Sequence, residues 1–300
     1  MSRKGKPSLL LEGVIVPMVT PFKANEELDE EALRRLTSWL IENGVHGLFP
    51  NSSMGEFSKL SIEERKRVID IVVDEANGRV PVLPGTGDVS TKLALEMTRY
   101  AKDAGADAAV VVEPYYFKPS EEALFNHYKS INDEIDIPLI VYDIPSATGY
   151  QIQPEMVRRL ADLGNVVAFK DSSGDMVKFL REIQLAGEKI AILQGYEYLF
   201  VPSLLMGAPG GILGIANACP RFMVDMYTAF KRGEIEEAVK MQKKLIQTLE
   251  VFIKYDYILA VKQAVGLQGI PLGEERRPSL PSKRGQEEAI RESLTKLGVL

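Results

Sequence analysis

Histidine and cysteine are almost missing from this chain of 300 residues, which has two histidines, His46 and His127, and one cysteine, Cys219. A single cysteine excludes an internal disulfide framework and fits a reducing, cytoplasmic compartment. A Ser-His-Asp triad or a Cys/His metal cluster would have to use one of the two histidines, and neither has ligand spacing to anything. His127 lies in EEALFNHYKSI, which reads as the surface of an amphipathic helix, and His46 lies in ENGVHGLF at a helix-to-strand turn. Both read as structural or solvated. Excess positive charge is missing too. The 36 Lys and Arg residues face 42 Asp and Glu, a net charge of −6, so nucleic acid and anionic membrane are poor partners. No apolar run reaches the roughly 18 residues of a transmembrane helix. The opening MSRKGKPSLLLEG is basic but lacks the apolar run and cleavage site of a secretory signal. No GxGxxG or GxxxxGK[ST] phosphate loop occurs. Catalysis is left to Lys, Tyr, Ser/Thr or carboxylates.

What the chain does contain is alternation. Short apolar runs recur at Val14–Met18, Gly47–Pro50, Val80–Thr86, Ala108–Val112, Pro138–Tyr142, Val166–Lys170, Ile190–Gln194 and Gly210–Gly214. They are aliphatic or β-branched and bounded by turn residues, as strands covered on both faces should be. Between them lie helix signals. Ser61-Ile-Glu-Glu64 is a capping box ahead of Val68, Ile69 and Val72. Gly44 and Gly105 sit where helices should stop, and Pro154 suits the first turn of the helix carrying Met156, Val157 and Leu160. After the eighth run the pattern changes. Ile235, Val239, Leu245, Ile246, Leu249 and Phe252 mark a helix within Glu234–Ala264, and another is expected near Glu287–Leu297. The charged, Pro-containing segment Glu274–Gly285 reads as a surface connection. These features predict an α/β fold, a (β/α)8 TIM barrel over residues 1–232 with a C-terminal helical region over 233–300. An open doubly wound sheet is the competing architecture.

Barrels carry their chemistry at the C-terminal ends of strands. Those positions hold Thr20, the turn Ser52-Ser53-Met54-Gly55-Glu56, Gly85-Thr86-Gly87, Glu113 through Lys118, Tyr142, Lys170, Gly195-Tyr196-Glu197, and Gly214 with Ile215. A lysine partly desolvated in a barrel mouth has a lowered pKa, and its free amine can attack a ketone to form a Schiff base. Lys170 is placed for that role, or it caps its strand and reaches solvent. Tyr142 is either a proton shuttle or a packing residue at the rim. The Ser53 hydroxyl is placed to bridge two tyrosines, and N–H groups of the turn at Gly55 to cradle a carboxylate. An ordinary tight turn is the alternative.

Taken in order, TPF at 20–22, SSMGE at 52–56, GTG at 85–87, PYY at 114–116, YDIPSATG at 142–149, FKDSSGD at 169–175 and GGILGIAN at 210–217 resemble the dihydrodipicolinate synthase / N-acetylneuraminate lyase superfamily. The resemblance spans essentially the whole chain. It implies a pyruvate-type class I aldolase or lyase on a (β/α)8 barrel, usually a homotetramer, acting on a 2-oxo acid and an aldehyde without metal or organic cofactor. It implies that Lys170 forms the imine, that Tyr142 is the acid/base, and that Ser53 is the relay. Tyr116 corresponds to a relay tyrosine that crosses to the neighbouring subunit. Ser52, Met54, Ala147, Thr148, Gly195 and Ile212 are the implied substrate-lining positions.

Three positions depart from the family pattern. Met54 replaces a hydroxyl residue, so carboxylate binding there must rely on backbone N–H groups. Asp143 stands where Asn is more usual. Ala147 stands where dihydrodipicolinate synthases hold the carboxylate of aspartate semialdehyde with Arg. PSATG, the KD after the lysine strand and GEFSKLSIEER look most like 2-keto-3-deoxygluconate aldolases, which cleave a sugar acid to pyruvate and glyceraldehyde. The alternatives are 4-hydroxy-tetrahydrodipicolinate synthase, a hydroxyoxoglutarate aldolase and a sugar-acid dehydratase. GYE at 195–197 looks like a sialate-lyase segment that contacts sugar hydroxyls, and Lys118 at the rim would suit an anionic tail. A binding relative without turnover would have lost the lysine or tyrosine, and both are present. A metal-dependent class II aldolase needs ligand sets that two histidines do not provide.

Overall fold

A computed structural model describes residue 9 and residues 11–300. The opening residues read above as lacking a secretory signal lie largely outside the described residues. Seven parallel strands form one sheet: β1 (Gly13–Pro17), β2 (Gly47–Phe49), β3 (Ala109–Val112), β4 (Leu139–Asp143), β5 (Val166–Asp171), β6 (Ala191–Gln194) and β7 (Gly210–Ile212). Their order is β2-β1-β7-β6-β5-β4-β3. Parallel neighbours need crossovers, and helices supply them, so each strand is covered on its outer face.

The third expected strand, 80–86, closes the ring without forming a ladder of its own. It makes two isolated parallel bridges, Leu48 to Val82 on one side and Gly85 to Val110 on the other. Pro81 and Pro84 have no N–H to give, so they only accept, from Leu48 N–H at 2.9 Å and Val110 N–H at 2.9 Å. Leu83 and Thr86 donate in return to Leu48 and Val110. The barrel is therefore a closed eight-stranded (β/α)8 ring in which one strand is thinned by proline.

Alternation along the strands sorts side chains into two layers. Ile15, Phe49, Leu83, Val110, Ile140 and Ala168 fill the barrel interior. Val111, Val141 and Phe169 face the helix layer with Met97, Tyr128 and Phe179. The helix signals are formed as read. Ser61 accepts from Glu64 N–H while Glu64 accepts from Ser61 N–H, Pro154 opens its helix, and Gly44 and Gly105 take φ of 82° and 94°.

Three expectations need correction. His127 is buried at 4% exposure, with Nδ1 2.9 Å from the Thr91 hydroxyl, because its helix face turns toward the neighbouring helix rather than to solvent. The long C-terminal helix is two helices, Ile235–Lys254 and Tyr257–Gly266, and Asp256 caps the second by accepting from Ile258 N–H. The connection 274–285 begins as packed structure. Glu275 is buried, and Arg276 donates to Glu64 and to the Glu26 carbonyl. The last helix, Gln286–Leu297, packs with the others, and Leu245, Phe252, Ile290 and Leu294 share one core with β1 and the helix Glu30–Glu42. Among the described residues no helix is long and apolar enough to cross a membrane.

Candidate active site

Tyr142 and Lys170 are register partners on β4 and β5. Strand alternation turns both toward the barrel mouth. The Lys170 amine lies 3.9 Å from the Tyr142 ring centroid and 5.3 Å from that of Phe49, and the Phe49 and Tyr142 rings meet edge-on at 6.2 Å. Lys170 is 3% exposed. Burial strips water from the ammonium and lowers its pKa from 10.5 to about 7, against the weaker opposing attraction of the Glu197 carboxylate. An amine half neutral at pH 7 is a competent nucleophile.

The Tyr142 hydroxyl lies beside the hydroxyls of Ser53 and Ser172. Burial raises its pKa above the ordinary phenol value, and those two neighbours pull the other way. It is a protonated donor at neutral pH, with serine hydroxyls on hand to relay the proton.

Ser53 sits on the turn after β2. Inside that turn Gly55 N–H donates to the Ser52 carbonyl and Glu56 N–H to that of Ser53, at 3.0 and 3.1 Å. The N–H groups of Ser53 and Met54 take no part in these bonds. A side chain at Gly55 would begin 2.8 Å from the Met18 carbonyl oxygen, so only glycine lets the turn lie on β1. The Thr20 hydroxyl donates to Gly55 O at 2.7 Å and closes the turn against the first strand end. The left-handed residue of the turn is Glu56, with φ of 55°. Its buried carboxylate meets Lys262 Nζ at 2.7 Å and Lys59 Nζ at 3.1 Å, and accepts from Arg276 N–H at 3.0 Å. The C-terminal region thus clamps the turn at 52–56.

The other candidate positions divide. Gly195 lies beside the lysine, since a Cβ there would fall 2.9 Å from Lys170 Cε and 2.1 Å from Ser172 Oγ. Ile212 is buried in the barrel interior. Met54 reaches over Gly214, close to Glu197. Ser52 spends its hydroxyl inside the turn, donating to Met18 O at 3.1 Å and accepting from Gly55 N–H at 3.0 Å. Thr148 donates to Glu113 Oε1 at 2.7 Å. Ala147 is exposed on the short helix Pro145–Thr148 and offers no charge. Tyr116 leaves the site of its own chain altogether. It is 85% exposed at φ 77°, edge-on to the exposed Phe117, while Tyr115 stays home against Phe57. Lys118 is exposed as well.

Sequence reading missed Ser172 and the electrostatic part played by Glu197. Ser172 lies two residues beyond Lys170, just past the end of β5, within the FKDSSGD motif. Glu197 accepts from Gly214 N–H at 2.6 Å and Tyr257 O–H at 3.1 Å, contacts that only the closed ring creates. Among the described residues no group of three or more His, Cys, Asp or Glu is arranged to hold a metal ion.

A desolvated amine against a phenol and a hydroxyl pair, at the C-terminal end of a (β/α)8 barrel, defines a class: lyases that work through a lysine imine with a 2-oxo acid. The chain belongs to the dihydrodipicolinate synthetase family, whose model matches residues 10–297. It is 40% identical to a 4-hydroxy-tetrahydrodipicolinate synthase from Methanopyrus kandleri, over 97% of each chain. It is 42% identical to one from Geotalea uraniireducens, over 91% of this chain and 93% of that one. Among solved structures, dihydrodipicolinate synthase from Aquifex aeolicus superposes with a TM-score of 0.92 at 34% identity, covering 96% of this chain and 99% of that one. An E. coli prophage protein of the same family, in complex with pyruvate, gives 0.93 at 31% identity, covering 97% and 100%. The chain is accordingly a pyruvate-dependent carbon–carbon lyase of the Schiff-base type.

Proposed function

We propose that Lys170 carries the imine and that the acceptor is an aldehyde bound beside Ala147. The carrying observation is the buried amine, with its pKa near 7, laid 3.9 Å over the Tyr142 ring. The neutral amine attacks C2 of pyruvate. Tyr142 gives its proton to the carbinolamine oxygen, and water leaves as the C=N bond forms. The N–H groups of Ser53 and Met54 hold the pyruvate carboxylate. Loss of a C3 proton gives an enamine, which adds to the aldehyde carbon, and hydrolysis frees Lys170. In the cleavage direction the same steps run backwards. Ser53 and Ser172 relay protons to and from Tyr142, and Tyr116 completes the relay of a partner subunit within a homotetramer in the cytoplasm.

The names of the relatives favour aspartate semialdehyde as acceptor, and so the 4-hydroxy-tetrahydrodipicolinate synthase reading over the expected deoxygluconate cleavage. One observation supports the second reading: the acceptor side presents exposed Ala147 rather than a guanidinium. A lost charge-assisted contact weakens a carboxylate-bearing acceptor by on the order of tenfold or more. The test compares kcat/KM for aspartate semialdehyde and glyceraldehyde with pyruvate as donor. Preference for the semialdehyde supports the synthase. Preference for glyceraldehyde, with pyruvate released from 2-keto-3-deoxygluconate, supports the aldolase.

A further inference from the structure

Each of the two central residues is followed in sequence by an acid, Asp143 after Tyr142 and Asp171 after Lys170. Strand alternation sends these acids to the opposite side of the barrel wall, into the helix layer. They are register partners, as Tyr142 and Lys170 are, so two carboxylates stand directly opposite each other on neighbouring strands. Both are buried, at 0% and 2% exposure. Like charges placed so repel, and little water is present to screen them.

One cation meets both. Lys178 Nζ lies 2.9 Å from Asp143 Oδ2 and 3.2 Å from Asp171 Oδ2. It projects from the first turn of the helix Met176–Ala186, whose cap residue Asp175 accepts from the N–H groups of Val177 and Lys178. Glu182, one turn later, meets Lys178 at 2.5 Å. Remaining oxygens are tied to backbone: Asp143 Oδ1 accepts from Ile152 N–H at 3.1 Å and Asp171 Oδ1 from Ser173 N–H at 2.6 Å.

We propose that Lys178 is a positioning residue for the Tyr142–Lys170 pair, holding the ends of β4 and β5 together by cancelling the repulsion between Asp143 and Asp171. The inference rests on Lys170 and Tyr142 being the reacting pair. Its logic is one of leverage. The strand ends that Lys178 pins on the outer face of the wall are those that carry the amine and the phenol on the inner face.

The surrounding charges fix the sign of the pH dependence. Asp143 and Asp171 face Lys178 from β4 and β5, and Glu182 from its own helix. Glu113, at the end of β3, faces Asp143 from the other side, and the Tyr128 and Tyr150 hydroxyls lie near it. Burial and the neighbouring Asp171 raise Glu182 to about 9, and burial and Asp143 raise Glu113 to about 8. Lys178 meets the two aspartates and Glu182 together. Burial alone would lower the Lys178 pKa, but the acids around it more than offset that and raise it. Burial raises the Asp143 carboxyl and Lys178 opposes that, so without Lys178 the repulsion is relieved by a proton on Asp143.

The experiment uses the full chain as Lys178→Met, Asp143→Asn and the double variant, with turnover, KM for pyruvate, thermal unfolding and borohydride trapping of the pyruvate adduct. Lys178→Met is expected to lose about ten- to a hundredfold in kcat at pH 8, the range that misplacement of a reacting group by about an ångström produces. Its rate relative to wild type should rise as pH falls toward 6. The double variant should recover most of the loss, since removing one aspartate charge removes the repulsion. If Lys178→Met fails to fold, recovery of both fold and turnover in the double variant supports the proposal. A double variant that stays unfolded, or that folds without regaining turnover, overturns it, as does a Lys178→Met chain with wild-type kcat. Trapping on the wild type keeps the two claims separate. An adduct away from Lys170 would refute the reading of the site, whereas an adduct on Lys170 with no rescue would refute only the role of Lys178.

Discussion

Replacing Lys170 by methionine is expected to end turnover and, at neutral pH, to make the folded protein more stable. The methionine side chain fills nearly the same volume and has no charge to desolvate. In an unfolded chain the lysine titrates near its ordinary 10.5, and in the fold near 7. Each pKa unit is worth about 1.4 kcal/mol, so burying this amine costs the native state roughly 4 kcal/mol at pH 7. The sign follows from proton counting. Between pH 7 and 10.5 the unfolded wild type binds more protons than the native one, so wild-type stability rises with pH, by up to about 1.4 kcal/mol per unit. The methionine variant lacks that slope. Its advantage should be greatest at and below pH 7 and fade toward pH 10. Urea unfolding of both proteins at pH 7, 8 and 9, at one protomer concentration, reads the difference. A gap that does not shrink as pH rises would refute the reasoning, because it would mean that Lys170 is not held near neutrality by burial.

Two further outcomes follow from the same geometry. Mixing an inactive Lys170→Ala chain with an inactive Tyr116→Phe chain should restore part of the activity, because a mixed dimer has one site with both native residues. No recovery despite demonstrated subunit exchange would return Tyr116 to its own chain or to no site. Lys262→Met should destabilise the fold by less than the about 3–5 kcal/mol of a fully orphaned buried charge, because Lys59 and Arg276 N–H still hold Glu56, and should raise KM for pyruvate by loosening the turn at Glu56. A variant of unchanged melting temperature and KM would show that the clamp is idle.

Much of this arrangement was legible in the sequence, because the barrel repeats one local pattern. Apolar runs bounded by turn residues marked the strands, and the strand-end rule then picked out Tyr142, Lys170 and the Ser53 turn. Strand 80–86 was legible as a run but not as a set of bridges, since the ladder is decided by where Pro81 and Pro84 withhold N–H groups from their neighbours. What could not be read were contacts that depend on closure. Glu197 reaches Gly214 and Tyr257 only because the last strand and the C-terminal helices fold back beside β6. His127 was misplaced because an amphipathic pattern says which face a residue lies on, but not how wide the buried stripe becomes when a second helix packs alongside. The pairing of Asp143 with Asp171 across Lys178 follows from register, which periodicity alone leaves open.

The central claim is that Lys170 bonds covalently to the 2-oxo acid, and the most direct test is to trap that bond. The protein is incubated with pyruvate, reduced with borohydride, digested and mapped by mass spectrometry. One reduced pyruvate adduct per chain is expected, on Lys170, and none is expected in Lys170→Arg, whose guanidinium stays protonated and forms no imine. An adduct on another lysine, or a catalytically active protein that gives no adduct, would contradict the account.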